Sequence, residues 1–303
     1  MIISASRRTD IPAFYSEWFL NRVRAGRVAV PNPRNLKQVD WVSLRPADVD
    51  ALVLWTRNAG PLLRAFDELD ARGLRYYIQY TLTGYPRRLE PGLPPLAEAI
   101  RIFQQTGERL GRERVIWRYD PIMFLSGIDE RYHWDKFADL CRALAPYTEQ
   151  CVISFLDVYR KTVGNLAKAL GGRGEEPSPW PLNMPVEDFA AELGAIARAQ
   201  GLRVTTCAEQ LDLGAFGIHP GRCIDPGLIG RVLGVQVAAV KDPNQREACG
   251  CVVSKDIGMY DSCPHGCAYC YANASLQKAV DNYRLRHDPR SAALLGWVGD
   301  EGD

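Results

Sequence analysis

Seven short runs rich in β-branched and aromatic residues punctuate the chain, at residues 2–6, 52–57, 76–83, 115–121, 151–157, 202–207 and 251–260. Stretches with helical spacing lie between most of them. Strands alternating with helices point to repeated βα units built around a parallel sheet. The expected fold class is α/β, a TIM-like (β/α) barrel, partial or full. At 303 residues and 47% hydrophobic content the chain can bury one large core of that kind without dividing in two. A single barrel domain is expected over residues 1–290.

The first helix is predicted to open at Pro12, a favoured first-turn residue, and to stop before Gly26, with Phe14, Trp18, Phe19 and Val23 as its buried face. A second is expected from 61 to 72, where Leu62, Leu63, Phe66 and Leu69 recur at three- and four-residue spacing before Gly73. Others are placed at 96–110, 134–144, 186–199 and 272–284. Gly and Pro crowd residues 171–181, so 171–184 reads as a surface loop or an active-site lid. Residues 291–303 read as a flexible tail.

With 37 basic and 36 acidic residues the formal charge is +1, which gives no general attraction to nucleic acid or an anionic membrane. No apolar run is long enough to span a bilayer, and the first eight residues reach Arg7-Arg8 too soon for a signal peptide. A cytoplasmic protein is expected. In that reducing setting nine cysteines argue for metal or redox chemistry rather than for disulfides.

Three of those cysteines, Cys263, Cys267 and Cys270, are spaced C-x3-C-x2-C on one short loop near the C-terminus. Three thiolates so placed can hold three irons of a [4Fe-4S] cubane and leave the fourth open to another ligand. A zinc site is the rival, but its fourth ligand would be His265, inside the loop between two of the cysteines, which suits a closed tetrahedron poorly. His265 can instead tune a cluster through its ring N–H or shape the loop.

The motif, with Tyr269 just before the third cysteine, resembles the signature of radical S-adenosylmethionine (SAM) enzymes. The longer string from Cys263 to Asn273 is similar to that of spore-photoproduct-lyase-like proteins. The resemblance implies that the open iron chelates the amine and carboxylate of SAM, and that one electron cleaves the sulfonium to a 5'-deoxyadenosyl radical. It also implies a low-potential electron donor such as ferredoxin or flavodoxin, and Tyr269 near the adenine. More of the chain resembles an uncharacterised bacterial family, a domain of unknown function with this triad at its C-terminal end. The matching segments are residues 4–12, 55–58, 79–83, 117–121, 154–155 with Asp157, and 241–271. That second resemblance transfers no reaction.

In most radical SAM proteins the cysteine loop follows the first barrel strand and a GGE-type segment follows the second. Here the loop comes last, so the resemblance implies a circularly permuted barrel in which strand 2–6 lies next to strand 251–260. Ser4, Arg7, Arg8 and Asp10 would then border the cofactor. Asp10 is the candidate for the acidic contact to the methionine amine, or the cap of the helix opening at Pro12. Arg7 or Arg8 can neutralise the SAM carboxylate, or form a solvated pair.

Other strands end in polar residues: Arg57 and Asn58, Gln79 with Thr81 and Thr83, Arg118 with Asp120, Asp157, and Glu209 beyond Cys207. In parallel barrels the C-terminal strand ends carry the site, so Arg118, Asp120 and Gln79 are the candidate catalytic residues, acting on a polar substrate. Arg118 and Asp120 can equally form a structural ion pair. Trp55 and Trp117 read as packing residues, Cys141 and Cys151 as core, and His133, His219 and His287 as structural histidines. Cys249 and Cys251, with Cys207 and Cys223, can form a second site holding zinc or an auxiliary iron-sulfur cluster, or Cys207 and Cys223 can pack as small buried hydrophobes.

The leading expectation is thus a radical SAM enzyme. A non-enzymatic iron-sulfur or zinc protein is the alternative class, and a nucleic-acid lesion-repair lyase is a variant of the first that the neutral charge disfavours.

Overall fold

A computed structural model describes residues 1–171 and 177–296. Its elements are β1 (Ile2–Ala5), α1 (Ile11–Phe14), α2 (Ser16–Ala25), the hairpin β2 (Arg27–Asn32) and β3 (Asn35–Ser43), then β4 (Ala51–Thr56) and α3 (Phe66–Ala71). They continue with β5 (Tyr76–Thr81), α4 (Leu96–Leu110), β6 (Val115–Ile122), α5 (Glu130–Leu144), β7 (Gln150–Phe155), α6 (Arg160–Ala169) and α7 (Val186–Ala199). The last are β8 (Arg203–Cys207), β9 (Ile218–Gly221), α8 (Pro226–Leu233), β10 (Lys255–Asp256) and α9 (Leu276–Arg286). Eight strands form one sheet in the order β10-β1-β4-β5-β6-β7-β8-β9, and every pairing in it is parallel.

The βα alternation is therefore real, but the sheet ends on β10 and β9 and is not closed. Those edges are short: β9 carries Pro220, which has no N–H to donate, and β10 is only two residues long. The expected strand over 251–260 shrinks to β10 because the rest of that run packs as irregular chain. Strand β1 lies beside β10, with Ile3 opposite Lys255 and Ser4 opposite Asp256.

The inner strands are buried on both faces, which is why their sequences read as nearly continuous apolar runs. Leu52, Leu54, Ile78 and Trp117 pack under the helices, in a core that includes Trp18, Phe66 and Phe137. Alternate residues Ala51, Val53, Tyr77, Ile116 and Val152 face the other way, against Leu228 and Ile229 of α8 and the cysteine-bearing segment around Val252. Period two then carries Trp55 and Arg57, Gln79 and Thr81, Arg118 and Asp120, and Ser154 onto that same inner side.

The predicted first helix divides at Tyr15 into α1 and α2, with Asp10 accepting from Ala13 N–H at the start and Gly26 closing the end at φ +69°. The segment expected to be a flexible tail is packed as far as 296: Ala292, Ala293 and Leu294 are buried, and Trp18 Nε1 donates to Ser291 O at 2.9 Å. Its Ala-Ala-Leu-Leu run has apolar surface to bury against α2 and the hairpin; residues 297–303 lie outside the described part. Within the expected 171–184 loop, 172–176 also lie outside it. The remainder is fastened, with Ser178 bridged to Phe124 and the Asn183 N–H donating to Glu130 Oε1 at 2.8 Å. Among the described residues no helix is long and apolar enough to cross a membrane.

His133 is fully buried between Tyr119 Oη, 2.8 Å from Nδ1, and Met123 O, 2.9 Å from Nε2. A neutral ring satisfies both, accepting at Nδ1 and donating at Nε2. Burial lowers its pKa from 6.5 to about 4. The unfolded ring therefore takes up a proton first as pH falls, so stability present above pH 6.5 is lost toward pH 4, by about 3 kcal/mol. Urea unfolding at both pH values should show this loss in the native chain and a smaller one in His133→Gln. Equal losses would remove His133 as its source.

Candidate functional site

The C-terminal ends of β1 and β4 through β8 open into one cavity of about 420 Å³, within the range of small-molecule sites. Seven of the nine cysteines line it, in two groups: Cys263, Cys267 and Cys270 on the loop between β10 and α9, and Cys207, Cys223, Cys249 and Cys251. Cys141 and Cys151 are buried in the core instead, and burial pushes the Cys141 thiol up to about 12.

The cysteine loop is clamped from several sides. Ala268 N–H donates to Leu89 O and Gly92 N–H to His265 O, both at 2.9 Å, while Asn273 Nδ2 holds Cys263 O at 2.7 Å. Gly92 is required by that approach, since a Cβ there would stand 2.5 Å from His265 O. Gly266, inside the motif, takes φ +70°, open to glycine and costly to other residues. His265 is buried edge-on to Phe14, and its Nε2 lies 2.7 Å from Asp10 Oδ2. The ring thus shapes the loop.

Asp10 does more than cap α1. Its Oδ1 accepts from Ala13 N–H and from Thr56 Oγ1 at 2.8 Å, and its Oδ2 accepts from Arg57 N–H at 2.7 Å as well as facing His265. Both oxygens are taken by the protein, so Asp10 ties β1, β4 and the cysteine loop together at the cavity wall.

Arg57 forms the next layer. Nη2 donates to Thr83 Oγ1 at 2.8 Å and to Glu90 Oε1 at 2.5 Å; Nη1 reaches Tyr269 Oη and, at 3.5 Å, Cys267 Sγ. Tyr269 Oη also donates to Glu90, and Arg57 Nε is buried with no partner among the described residues. Burial works against the Arg57 cation, but Glu90, Tyr269 and Cys267 outweigh it and raise its pKa. Burial likewise raises all three loop thiols, Cys267 to about 12, while Arg57 pulls Cys267 and Cys270 the other way. Cys270 also receives the N–H groups of Ala272 and Asn273. Glu90 had no signal in the sequence, because it sits in an irregular stretch rich in Pro and Gly.

Around β1 the expected cofactor contacts divide. Ser4 is fully buried and gives its hydroxyl to Asp256 Oδ2 at 2.9 Å, so it joins β1 to β10 rather than facing the cavity. Arg8 is likewise engaged, with Nη2 3.0 Å from Asp256 Oδ1. Asp256 also accepts from Ser6 Oγ at 2.7 Å and Arg7 N–H at 2.8 Å. Burial opposes its charge, yet Arg8 and these donors prevail and lower its pKa. The Arg7 guanidinium lies 5.4 Å from the Trp55 ring centre, donates to Ser254 Oγ at 3.4 Å, and keeps Nη2 buried without a partner. It retains donor capacity that Arg8 has spent.

Of the residues expected to be catalytic, Arg118 and Asp120 line the cavity and Gln79 does not. Gln79 Nε2 donates to Cys223 O at 2.8 Å and its Oε1 receives Arg118 Nη1 at 3.3 Å, which makes it a positioning residue. Arg118 Nη1 also donates to Cys223 Sγ at 2.7 Å, Nη2 pairs with Asp120, and Asp120 accepts from Ser154 Oγ. The ion pair and the cavity position hold together. Trp55, facing both Arg7 and Arg118, is a cavity wall rather than core; Trp117 is core. Asp157 pairs with Arg246 at the rim, and Glu209 accepts from Phe155 N–H at 2.8 Å. Asn58 accepts from Gly60 N–H in a local turn, and His219 is exposed on β9.

A family model described as "Domain of unknown function (DUF1848)" matches residues 2–272. The chain belongs to this family. No curated protein matches it. Among solved structures it is similar to one named as a "putative alpha-L-fucosidase" of Bacteroides thetaiotaomicron, at 10% identity over 80% of this chain and 85% of the other. The TM-score of 0.26 is too low to carry an argument about fold or chemistry. The DUF1848 match begins with β1 and ends two residues past Cys270, so both cysteine groups and the arginines between them belong to the family domain, while α9 and the packed C-terminal run follow it.

Proposed function

We propose that this protein is a radical SAM enzyme acting on a polar substrate in the cavity at the strand ends. The observation that carries the reading is the cavity itself, into which the C-x3-C-x2-C loop presents Cys263, Cys267 and Cys270 beside buried arginines. One further feature fits a cofactor that presents hydrogen-bond acceptors. Arg57 Nε, Arg7 Nη2 and Trp55 Nε1 are buried polar atoms without partners, a state that normally marks an absent ligand or water.

On this reading Cys263, Cys267 and Cys270 would hold a [4Fe-4S] cluster next to SAM, and the two together would supply one-electron radical chemistry to the substrate. The protein's own residues do the holding. Arg57, fixed by Glu90 and Thr83, places positive charge beside Cys267 and Tyr269. Asp10 keeps the loop in register through His265. Arg118 with Asp120 offers a charged pair to a polar substrate. The sheet order supports a permuted arrangement: β10, which leads into the cysteine loop, takes the place of a first strand and β1 that of a second. A low-potential ferredoxin or flavodoxin would supply the electron.

Anaerobic reconstitution, followed by SAM and a strong reductant, should yield 5'-deoxyadenosine. Cluster-loaded protein that forms none, with or without candidate polar substrates, would sink the proposal.

A further inference from the structure

The second group of cysteines is not used by that reaction. Cys207 ends β8, Cys223 follows β9, and Cys249 and Cys251 form a C-x-C pair before β10. Sequence separation does not bring such residues together by accident of local structure, yet the fold gathers all four on the wall of one cavity. Cys223 Sγ lies 3.2 Å from Cys207 Sγ. Ile224 N–H points to Cys251 Sγ at 3.3 Å. Cys223, Cys249 and Cys251 also touch an aliphatic cluster that includes Val53 and Leu228, but hydrophobic packing alone does not require the thiol-to-thiol approach of Cys207 and Cys223.

Their surroundings are cationic. Arg118 Nη1 donates to Cys223 Sγ at 2.7 Å, and Arg7 lines the same cavity as Cys251. Arg118 has Asp120 as a carboxylate partner. Arg7 is in no ion pair among the described residues that the geometry records, and its Nη2 is orphaned beside the same thiols. A cation withdrawn from water needs negative charge near it. Four thiols do not provide that charge, whereas four thiolates on an iron-sulfur core do.

We infer that Cys207, Cys223, Cys249 and Cys251 hold a second [4Fe-4S] cluster in the same cavity as Cys263, Cys267 and Cys270. A single zinc ion fits less well. Zinc requires its sulfurs to converge on one point at about 2.3 Å, and no such convergence exists among the described residues. These thiols also line an open cavity rather than a closed knot. A cubane places its irons at separate corners, so its ligands surround a volume rather than a point. The inference stands independently of the proposed SAM chemistry.

The test is metal content in the full chain after anaerobic reconstitution with iron and sulfide. Native protein should hold about eight irons, and the triple variant Cys263→Ala, Cys267→Ala, Cys270→Ala about four, with the spectrum of a reduced [4Fe-4S] centre. The double variant Cys249→Ala, Cys251→Ala should also keep about four, at the other site. A triple variant that binds no iron, or one zinc instead, would overturn the inference. If either variant fails to fold, alkylation of native protein decides: reconstitution should protect Cys207, Cys223, Cys249 and Cys251 relative to the metal-free chain, and unchanged labelling counts against the cluster. Should the loop cysteines stay unprotected while these four become protected, the radical SAM reading fails and this one survives.

Discussion

Cys267→Ala is expected to remove about four irons per chain and to reduce 5'-deoxyadenosine formation to the level of a protein-free control, while the protein stays folded. The fold should tolerate the change because, among the described residues, the Cys267 sulfur has one long polar contact, Arg57 Nη1 at 3.5 Å. The loop's position depends instead on His265, Gly92, Leu89 and Asn273. Loss of one partly buried thiol that packs at the edge of the cluster around Leu89 and Tyr269 should cost about 1 kcal/mol. Cys141→Ala is the matched control: that cysteine is buried in the core away from the cavity, so iron content should not change. The opposite pattern, an unfolded Cys267→Ala chain, would assign the loop to a structural metal site that folding requires.

The parts of the fold that were legible in the sequence are those buried on both sides. Strands β1 and β4 to β8 announce themselves because parallel strands under helices need apolar residues at nearly every position. Helices α4 and α7 begin and end where their spacing says, at Leu96 and Leu110 and at Val186 and Ala199. The hairpin of β2 and β3 was not legible, since β3 is mostly exposed and shows Leu36 and Trp41 to solvent. Helix α6 was hidden for a similar reason, with only Thr162 and Leu166 buried.

At the site, residues on strands were readable and their partners were not. Period two placed Arg57, Arg118 and Asp120 on the inner side, but it does not say which neighbour each will meet. Asp256 and Glu90, the carboxylates that engage Arg8 and Arg57, come from the short edge strand and from an irregular segment. Ser4 and Gln79 show the converse. Both lie on strands at the correct end, yet their polar groups are consumed in bracing Asp256 and Arg118 before they can reach the cavity.

Glu90→Ala should be among the most destabilising single changes in the protein. The carboxylate is 4% exposed and its Oε1 accepts from Arg57 Nη2, Thr83 Oγ1 and Tyr269 Oη. Removing it leaves the Arg57 cation buried with no carboxylate, which in comparable sites costs about 3–5 kcal/mol. Glu90→Gln keeps an acceptor of the same shape and loses only the charge, so its cost should be about 1–3 kcal/mol. The double change Arg57→Leu with Glu90→Leu removes both charges together, and should therefore be more stable than Glu90→Ala alone although it alters more atoms. Urea unfolding of the three variants gives the comparison directly. A Glu90→Ala chain that loses less than about 1 kcal/mol would mean that water reaches Arg57, and the cationic wall beside Cys267 would then be solvated rather than a fixed electrostatic support for the cysteine loop.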